Sequence, residues 1–184
     1  MLFTTAMPTN VLVRPAVPAE AEALSVFAAK VFPLGGRPGA DPADLEAYFA
    51  AELTPDRFRA LSQDPGVVLL VAESERQIAG YAALVHDCKH PKLPANSPAE
   101  LRKLYVVPDH HGRGVADALM RELLLAVRTS ADVVWLSVFS ENARAIAFYQ
   151  RWGFRLVGTH DFLVGEDRQK DFLMQRDADS KGTQ

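Results

Sequence analysis

Apolar residues recur along this chain at two spacings, and each change of spacing marks a new element. Asn10 to Arg14 alternates as a short strand that Pro15 and Pro18 close. From Glu20 to Val31, the apolar Leu24, Phe27, Ala28 and Val31 return at helical intervals. Phe32-Pro33-Leu34-Gly35-Gly36-Arg37-Pro38-Gly39 breaks that rhythm with glycine and proline and predicts a loop. Asp41-Pro42 and Thr54-Pro55 each set a capping side chain before a proline, which opens a helix. The second of these helices stops near Asp64-Pro65-Gly66. Val67 to Glu73 is mostly apolar, as a well-buried strand is, and Glu75-Arg76 turns it into a hairpin partner from Gln77 to His86.

The second half continues in the same alternation. Pro91, Pro94 and Pro98 make His86 to Pro98 a loop, long enough to carry function. Glu100 to Val107 reads as a strand stopped by Pro108. Gly112 to Arg128 reads as a helix with Val115, Leu119, Leu123 and Val127 on one face. A strand from Val133 to Phe139 and a helix from Asn142 to Trp152 follow. Phe154 to Gly158 and Asp171 to Gln175 are the last strands, around a turn near Gly165-Glu166-Asp167. This order predicts one mixed α/β domain over residues 1–178, with a frayed tail at 179–184.

Composition narrows the classes. A chain of 184 residues, 48% apolar and 23% charged, fits one ordinary globular domain. A net charge of −3 is too mild for nucleic acid as a bulk partner. No apolar run approaches membrane-spanning length, and Met1-Leu2-Phe3-Thr4-Thr5 lacks the basic start of a signal peptide. The lone Cys88 excludes an internal disulfide and suits a reducing compartment, so a cytoplasmic location is expected. Scattered histidines without a cysteine pair give no expectation of a metal site.

The chemistry-bearing stretch runs from Leu104-Tyr105-Val106-Val107-Pro108 through Asp109-His110-His111-Gly112-Arg113-Gly114-Val115-Ala116. A strand stops at proline, and a Gly-x-Gly turn then opens an amphipathic helix. Glycines let backbone amides come close to a ligand, and a helix N-terminus adds free N–H donors and partial positive charge. The combination suits a pyrophosphate, with Arg113 near; a plain strand–helix turn with two structural glycines is the alternative.

The segment His111-Gly112-Arg113-Gly114-Val115-Ala116 resembles the coenzyme A motif of the GNAT acetyltransferase superfamily, with His111 where Gln or Arg is usual. Asn142-Ala143-Arg144-Ala145-Ile146-Ala147-Phe148-Tyr149, followed by Gly153-Phe154, resembles the family's next motif at the expected distance. Asn142 as an N-cap, Tyr149 as a core aromatic and Gly153 as a C-cap are compatible structural roles. The ending Gly158-Thr159-His160-Asp161-Phe162-Leu163-Val164-Gly165, with Gln169-Lys170-Asp171, is similar to the bacterial spermidine/spermine N-acetyltransferase branch. The resemblance implies a single-domain GNAT fold: a mixed, mostly antiparallel sheet split by a V-shaped crevice, with helices on both faces.

It also implies acetyl transfer from acetyl-CoA, as cosubstrate, to a primary amine by direct attack. Leu104, Tyr105 and Val106 would pair with the pantetheine arm, and an N–H near Val106 would hold the thioester oxygen. The backbone from His111 and Gly112 through Arg113, Gly114, Val115 and Ala116 to Asp117 would hold the pyrophosphate, and Asn142 would complete the cofactor site. Tyr149 is the candidate acid for the leaving thiolate. The base is less defined. Some family members carry Glu where this chain has Ser137, so Glu100 is the candidate, against a role as a solvated strand-end charge. His86, Asp87, His90 and His160 are placed near the acceptor side or on the surface. The acidic bias from Asp41 to Asp64 suits either a polyamine or a solvated helical face. The expected partner is a small-molecule amine acceptor, with no nucleic acid and no membrane, and the chain is expected as a monomer or homodimer. A protein or peptide N-acetyltransferase and a non-catalytic coenzyme A sensor are the alternatives.

Overall fold

The computed structural model describes residues 11–164 and 167–178. The segment Met1–Thr5, the tail at 179–184, and Gly165 and Glu166 of the last expected turn lie outside the described residues. The strands are β1 (Val11–Pro15), β2 (Val67–Ser74), β3 (Gln77–Val85), β4 (Pro98–Val106), β5 (Val133–Phe139), β6 (Arg155–Val164) and β7 (Asp167–Asp177). The helices are α1 (Ala21–Val31), α2 (Pro42–Glu52), α3 (Pro55–Gln63), α4 (Val115–Val127) and α5 (Ala143–Arg151). The strands form one sheet in the order β1-β2-β3-β4-β5-β7-β6. Every neighbouring pair is antiparallel except β4 and β5. No helix among the described residues is long and apolar enough to cross a membrane.

The helix starts follow the capping chemistry expected. The Asp41 side chain accepts from the Ala43 N–H at 2.8 Å, and the Thr54 hydroxyl accepts from the Arg57 N–H at 3.3 Å. The turn between β2 and β3 puts Glu75 and Arg76 at φ of 52° and 65°. Two left-handed residues match the twist of a tight hairpin, at an order-of-magnitude cost of ~1 kcal/mol each without glycine.

Two cores flank the sheet. On one face α1 and α3 pack through Leu24, Ala28, Val31 and Phe58 onto Val71, Tyr81 and Ala83. Phe58 is fully buried, and truncating such a side chain costs about 3–5 kcal/mol. On the other face α4 lays Val115, Leu119, Met120, Leu123 and Val127 against Ala72, Ala82, Leu84 and Leu136. Several boundaries differ from the sequence reading. The helix expected from Gly112 begins at Val115, because Gly112 and Gly114 are left-handed. β4 begins at Pro98, where its first residues pair with β5. The last hairpin is much longer than Phe154–Gly158 and Asp171–Gln175, because β6 and β7 pair along the whole stretch to Val164 and Asp167.

Candidate active site

The parallel pairing of β4 with β5 lasts only three residues: Pro98 with Val133, Ala99 with Val134 and Glu100 with Trp135. Just beyond, β4 carries a bulge. Leu101 faces Leu84 and Lys103 faces Ala83, so Arg102 has no partner on β3. A bulge bends and twists its strand. From there β4 leaves β5, and a V-shaped crevice opens. The Val107 N–H is bonded to Ala79 on β3. Backbone groups alternate sides along a strand, so the N–H groups of Val106 and Leu104 face the crevice while Tyr105 pairs with Tyr81. A cavity of about 1270 Å³ fills the crevice and continues under α2 and the Phe32–Gly39 loop.

One end of the cavity is the glycine turn. Gly112 and Gly114 have φ of 72° and 82°, and a Cβ on either would meet nothing within 4 Å among the described residues. Backbone conformation, not space, therefore requires glycine there. Among the described residues, the N–H groups of Gly112, Gly114, Val115, Ala116 and Asp117 have no backbone partner. They open α4 as a cluster of donors at a helix N-terminus, which fits a pyrophosphate. His111 departs from expectation. Its backbone N–H, expected to face the phosphates, closes the turn onto the Pro108 carbonyl at 3.0 Å. Its ring instead bridges two elements: Nε2–H donates to the Val106 carbonyl at 2.9 Å, and Nδ1 accepts from Arg144 Nη1 at 2.5 Å. Arg113 is exposed beside the turn. The Asp117 carboxylate accepts from Trp152 Nε1 at 3.0 Å, tying α4 to the end of α5.

Asn142 caps α5, its Oδ1 accepting from the Ala145 N–H at 3.1 Å, and its Nδ2 donates to the Gly35 carbonyl at 3.1 Å. It thus fixes the Phe32–Gly39 loop over the cavity. Gly153, at φ 82°, ends the helix region. Tyr149 lines the cavity and is 9% exposed, packed edge-on against Phe154. Burial pushes its hydroxyl well above the ordinary phenol range, so it keeps its proton at neutral pH.

The acceptor half of the cavity is lined by side chains of the α1–α3 face. Glu100 sits where the strands part, and its carboxylate is engaged. Arg102 donates to it at 2.5 and 2.8 Å, and the Cys88 thiol at 3.2 Å. Burial and the Glu100 carboxylate push the Cys88 thiol up, which makes it a poor thiolate nucleophile. His90 and His160 stack edge-on outside the cavity lining, both held low by burial.

Two residues that the sequence reading did not single out stand in this half. Lys103 is 8% exposed, lies over the Tyr48 ring at 5.9 Å, and is pushed down to about 8, chiefly by burial. Asp171, on β7, is 6% exposed; burial pushes it up to about 6, and hydrogen bonding from Ser137 works the other way. Its Oδ1 is buried with no hydrogen-bond partner among the described residues. The acidic stretch is largely spoken for: Glu52 is bound by Arg57 at 3.1 Å and Asp56 by Arg59 at 2.5 Å, while Asp41 caps α2.

A sheet opened beside a cradle of backbone donors, with a buried phenol between them, belongs to an acyltransferase. The chain is a member of the GNAT acetyltransferases: the Acetyltransferase (GNAT) family model matches residues 39–154. An uncharacterized N-acetyltransferase of Mycobacterium tuberculosis is 35% identical over 159 residues, covering 86% of this chain and 97% of that protein. The N-alpha-acetyltransferase RimI of the same species is 31% identical over 107 residues, covering 58% of this chain and 64% of RimI. The L-amino acid N-acetyltransferase AaaT of Escherichia coli is 33% identical over 101 residues, covering 54% of this chain and 60% of AaaT. In fold, the chain is similar to the PaiA N-acetyltransferase of Thermoplasma acidophilum, solved in complex with coenzyme A. The TM-score is 0.72 at 16% identity, covering 91% of this chain and 99% of that one. The chain is thus an acetyl-CoA-dependent N-acetyltransferase by family.

Proposed function

We propose that the chain acetylates the amine of a small acceptor that also carries a carboxylate, of which a free amino acid is the simplest. Lys103 carries this reading. Its ammonium lines the acceptor half of the cavity, and no carboxylate is bonded to it among the described residues. Two acids act on it from a distance, Glu52 and Glu100, yet each is already bound by an arginine, Arg57 and Arg102. Those five groups leave a net positive charge. A buried cation without a counter-ion is costly, and an incoming carboxylate offsets that cost.

The polyamine expected from the sequence is the poorer fit. That expectation stands on the resemblance of the ending from Gly158 to Gly165 and on the acidic stretch from Asp41 to Asp64, and a polycation would meet Lys103. Two of the relatives bear names that specify an amino acid or a chain's α-amine as acceptor, which supports an α-amine here. In this reading the glycine turn from Gly112 to Asp117 binds the pyrophosphate. Val106 N–H stands where charge grows on the thioester oxygen. Tyr149 donates a hydrogen bond to the departing sulfur. Its raised acidity range makes full proton transfer to a thiolate uphill, so it stabilises that anion more than it protonates it.

The test compares initial rates with an L-amino acid, its carboxamide and a polyamine. At pH 7 the amino acid should win over the carboxamide by about 10–100-fold, the worth of a charge-assisted contact of about 1.5–3 kcal/mol. The advantage should shrink as pH rises through about 8, where Lys103 loses its proton, and vanish in Lys103→Met. Equal rates for acid and amide, or a faster polyamine, would overturn the acceptor class.

A further inference from the structure

We infer that Asp171 is the general base of the reaction, and that Ser137 is the positioning residue that holds its carboxylate. This rests on the acetyl-transfer reading and deepens it.

Three observations converge. Asp171 sits in the middle of β7, opposite Phe139 on β5 and His160 on β6, and lines the cavity although it is only 6% exposed. Among the described residues its Oδ1 is buried and accepts no hydrogen bond, while Ser137 lines the cavity from the same face of the sheet, two residues along β5 from the residue opposite Asp171. A buried acceptor left open is destabilising unless something that enters the cavity satisfies it. A substrate ammonium, or one water ahead of it, is such a donor. The other carboxylates that line the cavity are engaged: Glu100 by Arg102 and Cys88, Glu52 by Arg57, Asp117 by Trp152 and Asp64 by the Gly66 N–H. Around Asp171 stand Ser137 and Phe139 from β5, Tyr105 from β4, His160 from β6 and Gln169 two residues earlier on its own strand. No cation among them competes for its charge, and burial keeps its proton affinity close to what a base at neutral pH needs.

The acceptor ammonium gives one proton to Asp171 Oδ1. The freed lone pair forms the C–N bond at the thioester carbonyl, and the C–S bond breaks with its electrons leaving on sulfur. The second amine proton ends on that sulfur by way of water, while the Tyr149 hydroxyl holds the departing anion by a hydrogen bond, and Asp171 returns its own proton to solvent. No oxidant, reductant or metal enters.

The test is the pH dependence of kcat/KM for the wild-type protein, Asp171→Asn, Ser137→Ala and Glu100→Gln, with saturating acetyl-CoA. The acceptor is the fastest of the L-amino acids. The wild-type profile should bend near about 6. Asp171→Asn should bind acetyl-CoA normally, lose about 10²–10⁴-fold in rate and lack that bend. Ser137→Ala should stay active with the bend moved to higher pH, because a contact that favours the anion is gone; a merely structural serine would leave the bend in place. An unmoved bend in Ser137→Ala, or a bend lost in Glu100→Gln and kept in Asp171→Asn, overturns the assignment. A wild-type protein that releases no thiol with any amine overturns the acetyl-transfer reading itself. If Asp171→Asn does not fold, the Ser137→Ala profile still decides.

Discussion

Replacing Asp171 by Asn should make the folded protein more stable above pH 6, even as it removes turnover. The ordinary aspartate value of 3.8 is raised to about 6 in the fold, chiefly by burial. The folded chain therefore binds this proton more tightly than the unfolded chain does. The penalty for ionising Asp171 is absent below about 4, builds between about 4 and about 6, and is complete above that. It amounts to about 3 kcal/mol at pH 8 and roughly half of that at pH 5. The amide has no charge to desolvate, but its own donors need partners, so a gain of about 2 kcal/mol is the working expectation. For a chain of this size that is about 4–8 °C in Tm. Urea denaturation of both proteins at pH 5 and pH 8 measures it. The stability difference should be clearly larger at pH 8. A variant less stable than the wild type by the same margin at both pH values would show that Asp171 carries no raised proton affinity.

Two further outcomes concern the cosubstrate half of the cavity. Tyr149→Phe should keep acetyl-CoA affinity and lower kcat by about 10–10²-fold, at and below the low end of acid catalysis because the buried phenol stabilises rather than protonates; unchanged turnover would remove the hydroxyl from the reaction. Gly114→Ala forces a side chain into φ 82°, at about 1–2 kcal/mol, and should weaken the thermal shift given by coenzyme A as strongly as that given by acetyl-CoA, because both present the same pyrophosphate; a full-sized shift would place the phosphates elsewhere.

How far each part could be read from the sequence follows its physics. The helix starts were legible because Asp41, Thr54 and Asn142 cap through local hydrogen bonds that depend on the next three residues alone. The glycine turn was legible for a similar reason: its conformation is local. The closing of the His111 N–H onto the Pro108 carbonyl is not legible in the sequence, because no side-chain pattern announces that short turn. Lys103 escaped because the bulge at Arg102 breaks the two-residue alternation, which puts Leu101 and Lys103 on opposite faces despite their spacing. Asp171 is hidden because the sequence pattern starts its strand at Asp171 itself, where a charge is unremarkable. With β7 running from Asp167, it is a mid-strand acid in a sheet covered on both faces, and that is a signal once strand length is known.

Acetyl transfer to an amine is tested most directly by following thiol release and acetylated product together, from acetyl-CoA and a panel of L-amino acids. At least one amino acid should give thiol and N-acetylated product in equal amounts, with little thiol release when the amine is omitted. Binding of acetyl-CoA with no amine-dependent thiol release from any acceptor, peptides and polyamines included, would contradict it and leave a coenzyme A-binding module in place of an enzyme.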